Sequence, residues 1–154
     1  MKDKIKSAVT DKAKSLAKGM FNFPQIDSDI EVWFIFDGKE YEVSKFDICF
    51  GQSVDHKGQP QEEVRGGFMT VELTQAVPEK IYKWAMTSSL EGGSVEFRSK
   101  TSSAPLKIKF ANAYCVNFAR TVDNYAGLLT RLVISPEEVT INDIDMDNNW
   151  VGLN

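Results

Sequence analysis

The sequence predicts a mainly β domain, a barrel or a sandwich, with one helix in its body. From residue 30 onward most segments alternate apolar and polar residues with a period of two, as half-buried strands do. Turn signals, among them Asp37-Gly38, separate these segments at fairly regular intervals. Only residues 77–86 of this body place apolar side chains at helical spacing.

The body elements follow one another along the chain as short strands. We predict these strands at residues 30–36, 40–50, 68–73, 95–98, 106–118, 128–134 and 139–141. Because residues 106–118 are long for one strand, we expect a bend or bulge near residues 111–113. Gly92-Gly93 is expected to end the connection after the helix, and residues 101–105 and 136–138 are expected to form turns.

The predicted body helix, residues 77–86, has consistent start and stripe signals. Pro78 suits the first helical position, where its missing N–H costs nothing. Ile81, Trp84 and Ala85 form an apolar stripe that we expect to be buried, with Tyr82 beside them.

The N-terminal segment differs from this body in charge and pattern. Residues 1–25 are predicted to form a basic amphipathic extension, and residues 26–154 the β domain. The apolar stripe of the extension includes Ile5, Val9 and Leu16, with lysines such as Lys12 around it. Residues 1–20 carry six lysines and two aspartates, a net charge of +4, whereas the other residues carry 12 basic and 20 acidic side chains, a net charge of −8. Such a helix docks onto a partner, frays, or lies on a membrane surface.

Overall composition limits the class of protein further. The 154 residues fit one domain with a sizeable core, and 42% hydrophobic residues are ordinary for a globular protein. No apolar run approaches the roughly 20 residues that span a bilayer, and no secretory signal is visible. An acidic body also argues against nucleic acid as a partner. We therefore expect a cytoplasmic protein, without membrane contact, unless a dedicated machine exports it.

The segment between the second and third predicted strands, residues 51–65, is polar and contains Gly51, Gly58 and Pro60. It is too long for a tight hairpin turn and shows no helical pattern. Ordered loops of about fifteen residues are uncommon in compact domains and usually have a function. We interpret this loop as a contact with another copy of the protein.

Residues of the kinds used in catalysis do not form a recognisable constellation. The single histidine, His56, lies in the polar loop without a serine or cysteine nucleophile beside it. Neither glycine pair is followed by the lysine of a phosphate-binding loop. Cys49 and Cys115 lie in predicted strands, where we expect buried, reduced thiols. We therefore predict that the protein is not an enzyme and has no cofactor.

The acidic C-terminal stretch spaces Asp143, Asp145 and Asp147 as the first three ligands of a calcium loop. The glycine and the glutamate that such a loop needs are replaced by Asn148 and Asn154. We therefore predict no metal site and interpret the stretch as a solvated acidic terminus before Trp150.

Several short motifs occur together in a fixed order between residues 39 and 150. They are FDICFGQ (46–52), DHKGQP (55–60), Gly66-Gly67, IYKW (81–84), KIKF (107–110) followed by Tyr114, and ISPE (134–137). This ensemble resembles the tube proteins of contractile injection systems, above all the haemolysin-coregulated-protein (Hcp) group of the type VI secretion system, in its Bacteroidota form, TssD. The resemblance covers about residues 26–151 and leaves the basic extension outside.

The resemblance implies an Hcp-like tail-tube barrel whose copies form a hexameric ring around a pore. Rings stack into a tube, inside a contracting sheath and together with baseplate and spike proteins, and the lumen is able to carry effectors out of the cytoplasm without a signal peptide. By position, residues 52–65 would contact the next ring. The contact residues so implied are Asp55, His56, Lys57, Gly58, Gln59, Pro60, Glu62, Glu63 and Arg65. Independently of the resemblance, the +4 charge of the extension against an acidic body suggests that it docks in the pore or on the ring face, through Ile5, Val9, Lys12 and Leu16.

Other functions remain open at this point. The long apolar strands are compatible with a monomeric or dimeric barrel that encloses a small ligand. A tube protein of a related extracellular injection system or of a phage tail has the same pattern. An enzyme or a chaperone-like carrier of cargo is the third alternative.

Overall fold

The computed structural model describes residues 30–99 and 106–151. The chain divides into two compact units, Met1–Ile30 and Glu31–Asn154, and the described residues belong almost entirely to the second. The predicted extension at residues 1–25, with Ile5, Val9, Lys12 and Leu16, and the predicted turn at residues 101–105 lie outside the described residues.

The described residues form seven strands and one helix, which confirms the mainly β prediction with a single body helix. The elements are β1 (Ile30–Phe36), β2 (Lys39–Gly51), β3 (Arg65–Leu73), α1 (Glu79–Met86), β4 (Glu91–Ser99), β5 (Leu106–Asp123), β6 (Gly127–Ile141) and β7 (Ile144–Asp147).

The strands form one sheet in the order β3-β2-β1-β4-β5-β6-β7. Because β3 also pairs with β6, the first six strands close into a barrel, and β7 lies beside β6. Closure gives each of these six strands at least two neighbours and so removes their free edges, whereas β7 pairs with β6 alone. The predicted hairpin turn between β1 and β2 is confirmed, since Asp37 and Gly38 have φ values of 52° and 73°, as a two-residue turn of this kind requires.

Aromatic side chains fill much of the barrel core. Phe34 and Phe36 point inward from β1 and are fully buried. Trp84 of α1 is 1% exposed, stacks on Phe36 with ring centroids 5.0 Å apart, and donates its Nε1 hydrogen to the backbone oxygen of Ala113 at 2.9 Å. Ile81 is buried as predicted, whereas Pro78 precedes the helix as its N-cap residue and does not occupy the first turn. Helix α1 is thereby fixed to β5.

The predicted turn at residues 136–138 is wrong, because β6 continues through Pro136 to Ile141. On one edge Pro136 pairs with Ala113 of β5. On the other edge, pairing with β3 ends at Ile134 and pairing with β7 begins at Glu138. Pro136 therefore occupies a gap where no strand needs its missing N–H, the position in which a sheet tolerates proline.

Three strand boundaries also differ from the prediction. Gly92 and Gly93 lie inside β4. Position 93 favours glycine, because a Cβ there would come within 2.7 Å of the backbone oxygen of Ile35. Strand β3 begins at Arg65, and β5 extends to Asp123 through a polar, exposed segment. The acidic stretch expected to be a solvated terminus contains β7, which pairs with β6 through a turn at Asn142 with φ 53°.

Strand β5 is irregular, and the two cysteines differ in burial. The bulge expected near residues 111–113 is confirmed: between the pairs Phe110–Gly93 and Ala113–Glu91, β5 has one residue more than β4, and Asn112 there has φ 50°. A second register shift, against β6, lies between Cys115 and Asn117. Cys115 is buried as predicted, and burial raises the pKa of its thiol to about 11. The prediction for Cys49 is wrong: its side chain is exposed, because it shares the solvent face of β2 with Lys45 and Asp47.

Candidate contact loop

The polar segment between β2 and β3, residues 52–64, folds into a small finger of its own. Val54 and Pro60 form an isolated antiparallel bridge. The backbone N–H of Gln61 donates to the oxygen of Ser53 at 2.8 Å, below that bridge. The finger is therefore held by main-chain hydrogen bonds, although nearly all of its side chains are exposed.

Asp55 organises the tip of the finger. Its Oδ1 accepts hydrogen bonds from the backbone N–H groups of Lys57, at 2.8 Å, and Gln59, at 2.9 Å. Its backbone oxygen accepts from the N–H of Gly58 at 2.9 Å, and Gly58 has φ 83°, a conformation that favours glycine. These bonds are typical of an aspartate that nucleates a turn. The Asp55 carboxylate thus supports the tip from within.

The other predicted contact residues point to solvent from this scaffold. At the tip and along the finger the exposed residues are His56, Lys57, Gly58, Gln59, Pro60, Glu62, Glu63 and Arg65. The ion pairs among the described residues all lie elsewhere in the barrel. Lys57, Glu63 and Arg65 therefore keep their charges available for a partner.

The finger returns to the barrel through Gly66-Gly67, and both positions are crowded. A Cβ on Gly66 would lie 2.6 Å from the backbone oxygen of Cys49, and Gly66 has φ 125°. A Cβ on Gly67 would lie 2.7 Å from Cγ2 of Val139. Only glycine fits here without displacing neighbours, so this pair lets β3 pass closely between β2 and β6.

Asn148 contacts this same foot of the finger, a role that no motif of the sequence indicates. Its Oδ1 accepts from the backbone N–H of Gly66 at 3.1 Å, and its Nδ2 donates to the backbone oxygen of Gly66 at 2.9 Å. The same Nδ2 donates to the backbone oxygen of Pro136 at 2.9 Å. Its distance of 82 residues from Gly66 leaves no local pattern that could have identified it.

An open apolar groove of about 380 Å³ lies beside the foot of the finger. Its walls are formed by Phe50, Val64, Val139, Ile141, Ile144, Asp145 and Met146. Phe50 is 41% exposed and Ile144 is 74% exposed. Exposed apolar side chains that cluster in this way are typical of protein contact surfaces.

The aspartates of the acidic stretch make hydrogen bonds within the protein. Asp145 accepts a hydrogen bond from Oγ1 of Thr140 at 2.7 Å, and Asp147 accepts one from the N–H of Asn149 at 2.7 Å. Over residues 30–99 and 106–151, no group of three or more histidine, cysteine or acidic side chains is placed to hold a metal ion. In the same residues no helix is both long and apolar enough to cross a membrane.

Comparison with known proteins gives one family. The family model described as "Hemolysin coregulated protein Hcp (TssD)" matches residues 28–151. No curated protein sequence matches the chain.

Solved structures with the same fold include proteins with the Hcp name. Hcp1 from Flavobacterium johnsoniae superposes with a TM-score of 0.70 at 24% identity, over 77% of this chain and 99% of that one. Hcp1 from Salmonella typhimurium gives 0.62 at 12% identity, over 77% and 91%. A chain of the anti-feeding prophage baseplate, from a structure symmetrised six-fold, gives 0.51 at 11% identity, over 78% and 96%.

Proposed function

Because this chain belongs to the Hcp (TssD) family of type VI secretion tube proteins, we propose that it forms six-membered rings that stack through the finger at residues 52–65. Assembly into the rings of a tube is the role of this family, which is not a family of enzymes. The six-fold symmetry of the baseplate structure with the same fold supports the ring number. The main support for the stacking contact is the finger, whose backbone is held by its own hydrogen bonds while its side chains are exposed to solvent.

The finger has the properties that an axial contact needs. Its tip is fixed by Asp55 before any partner arrives, so little conformational entropy is lost on contact. Lys57, Glu63 and Arg65 present both signs of charge without an ion pair to described residues. One exposed ion pair contributes only about 0–1 kcal/mol. Six fingers that engage together add their contributions, because each contact raises the effective concentration of the next.

The remaining partners follow from the family. We propose that the stacked rings lie inside a sheath, on a baseplate and behind a spike of the same machine, and that effectors travel in the lumen. The protein would reach the tube from the cytoplasm and leave the cell through the machine. We also propose that the chain acts without catalytic turnover, since the family to which it belongs is not a family of enzymes.

The test replaces residues 57–60 with a Gly-Ser linker of equal length. Because these residues lie outside the strands of the barrel, the barrel should fold and rings should form, while stacks disappear from electron micrographs. The matched control carries Lys57→Gln and Arg65→Gln, which remove charge and keep the finger, and should weaken stacking without abolishing it. Normal stacking of the linker variant would overturn the proposed contact. An unmodified chain that is monomeric by light scattering would overturn the ring and favour the ligand-binding barrel.

A second candidate is the tube of a related injection machine, which the likeness to the anti-feeding prophage baseplate chain favours. The two proposals share the ring and the stacked tube and differ in the sheath. Co-purification of the tube with its sheath from the native cell distinguishes them, since the sheath identifies the machine.

A further inference from the structure

The edge of β6 has a gap at the place where the finger joins the barrel. Pairing with β3 ends at Ile134, and pairing with β7 begins only at Glu138. Residues 65–68 of β3 pair with β2 alone, for example Gly66 with Phe50, whereas residues 69–73 pair with both β2 and β6. The end of β3 that carries the finger is therefore not held to β6 by main-chain hydrogen bonds.

The side chain of Asn148 fills this gap. Its amide exchanges two hydrogen bonds with the N–H and the oxygen of Gly66, as the peptide group of a neighbouring strand would. Its second Nδ2 hydrogen bond reaches the oxygen of Pro136 on β6. One amide thus connects β3 to β6 where no backbone hydrogen bond does, and it uses both Nδ2 hydrogens in doing so.

The segment that carries Asn148 is itself anchored to β6 and β5. The N–H of Asn148 donates to the backbone oxygen of Glu137 at 2.8 Å. The N–H of Trp150 donates to Oε2 of Glu137 at 2.8 Å, and the Trp150 ring stacks on Tyr114 with centroids 5.5 Å apart. Asn148 is therefore presented from a rigid base, on the opposite side of the gap from the finger.

We infer that Asn148 is a positioning residue for ring stacking: it fixes the foot of the finger, and thereby the direction in which the tip leaves the barrel. This inference rests on the proposed function of the finger. Asn148 need not touch the next ring, because it acts through Gly66. Without the Asn148 bonds the foot would be held only by its pairing with β2, so the finger would change direction more freely, and six such fingers would seldom engage together.

The decisive variant is Asn148→Asp, which keeps the shape of the side chain. It replaces the two Nδ2 hydrogens by an acceptor that faces the oxygens of Gly66 and Pro136, so two hydrogen bonds become repulsive contacts. We expect rings with normal mass. The ring concentration at which half of the rings are stacked should rise about tenfold or more. Hydrogen exchange at the Gly66 amide should become faster.

The matched control is Asn124→Asp, which makes the same chemical change on an exposed residue of the turn between β5 and β6. It should stack like the unmodified chain. If Asn148→Asp also stacks normally, the inference is wrong. If it forms no rings, Asn148→Ala decides, because it removes the hydrogen bonds without adding repulsion. Rings that do not stack would support the inference. Rings that stack normally, or the loss of rings as well as stacks, would overturn it, since a merely structural residue would affect ring formation and stacking together.

The linker variant of residues 57–60 separates the two proposals. If it stacks normally, the function proposed for the finger fails, whatever Asn148→Asp does. If it does not stack while Asn148→Asp does, the finger is the contact and only the role of Asn148 is wrong.

Discussion

Alanine substitutions at Gly67 and Gly127, compared with each other, separate two costs: the close approach of β3 to β6, and a left-handed backbone conformation. Gly67 and Gly127 have nearly the same φ, 80° and 81°. Alanine in this left-handed region costs about 1–2 kcal/mol at either position. At Gly127 the new Cβ meets nothing within 4 Å, whereas at Gly67 it would lie 2.7 Å from Cγ2 of Val139 and 3.4 Å from the ring of Pro136.

The additional cost at Gly67 is one of overpacking, since Val139 is 2% exposed and has little room to move. Forcing an extra methyl group into such a site costs about 1–3 kcal/mol. We therefore expect Gly67→Ala to lower the free energy of unfolding by about 2–5 kcal/mol, and Gly127→Ala by about 1–2 kcal/mol. At roughly 2–4 °C per kcal/mol for a chain of this size, the melting temperatures should differ by about 2–12 °C.

Thermal unfolding followed by circular dichroism measures this difference. Both variants need the same protein concentration and the same assembly state, because association stabilises the folded form by mass action. Equal melting temperatures for Gly67→Ala and Gly127→Ala would show that Val139 relaxes freely and that the close contact is not a constraint.

Two further predictions concern single contacts. Trp84→Phe leaves the buried backbone oxygen of Ala113 without its donor and should lower the free energy of unfolding by about 1–3 kcal/mol in urea titration; an unchanged value would contradict this. The hydrogen bonds of Arg98 lower the pKa of Glu40 below its ordinary 4.5, so this carboxylate stabilises the fold above that value and loses its contribution as the pH falls through the lowered pKa. Arg98→Met should therefore lower the melting temperature more at pH 7 than at pH 3, and an equal difference at both would refute the linkage.

The sequence was sufficient for the barrel because a strand that is buried on one face records this in its own residues. In β5, apolar Leu106, Ile108 and Phe110 alternate in the sequence with Lys107 and Lys109, and the structure buries Ile108 and Phe110. The Asp37-Gly38 turn follows from the conformations that glycine and aspartate tolerate. The finger was also identifiable, because a long polar segment that shows neither the two-residue period of a strand nor the 3.6-residue period of a helix stands out between two strands.

Features that depend on which strands lie beside one another in the sheet were not identifiable from the sequence. Pro136 was interpreted as a turn because proline usually interrupts a strand, and the gap that permits it arises only when β3 and β7 share one edge of β6. Gly92-Gly93 was interpreted as a strand boundary for a similar reason, although the oxygen of Ile35 on a neighbouring strand is what requires Gly93.

The acidic stretch shows how one spacing serves two structures. Ligands two residues apart are typical of a calcium loop, but side chains on one face of a strand have the same spacing. Asp145 and Asp147 follow the strand, since they pair with Thr140 and Glu138 across β7 and β6. Asp147 then accepts the N–H of Asn149 and closes the turn that follows the strand. The residues that imitate a metal loop are therefore those that deliver Asn148 to the foot of the finger.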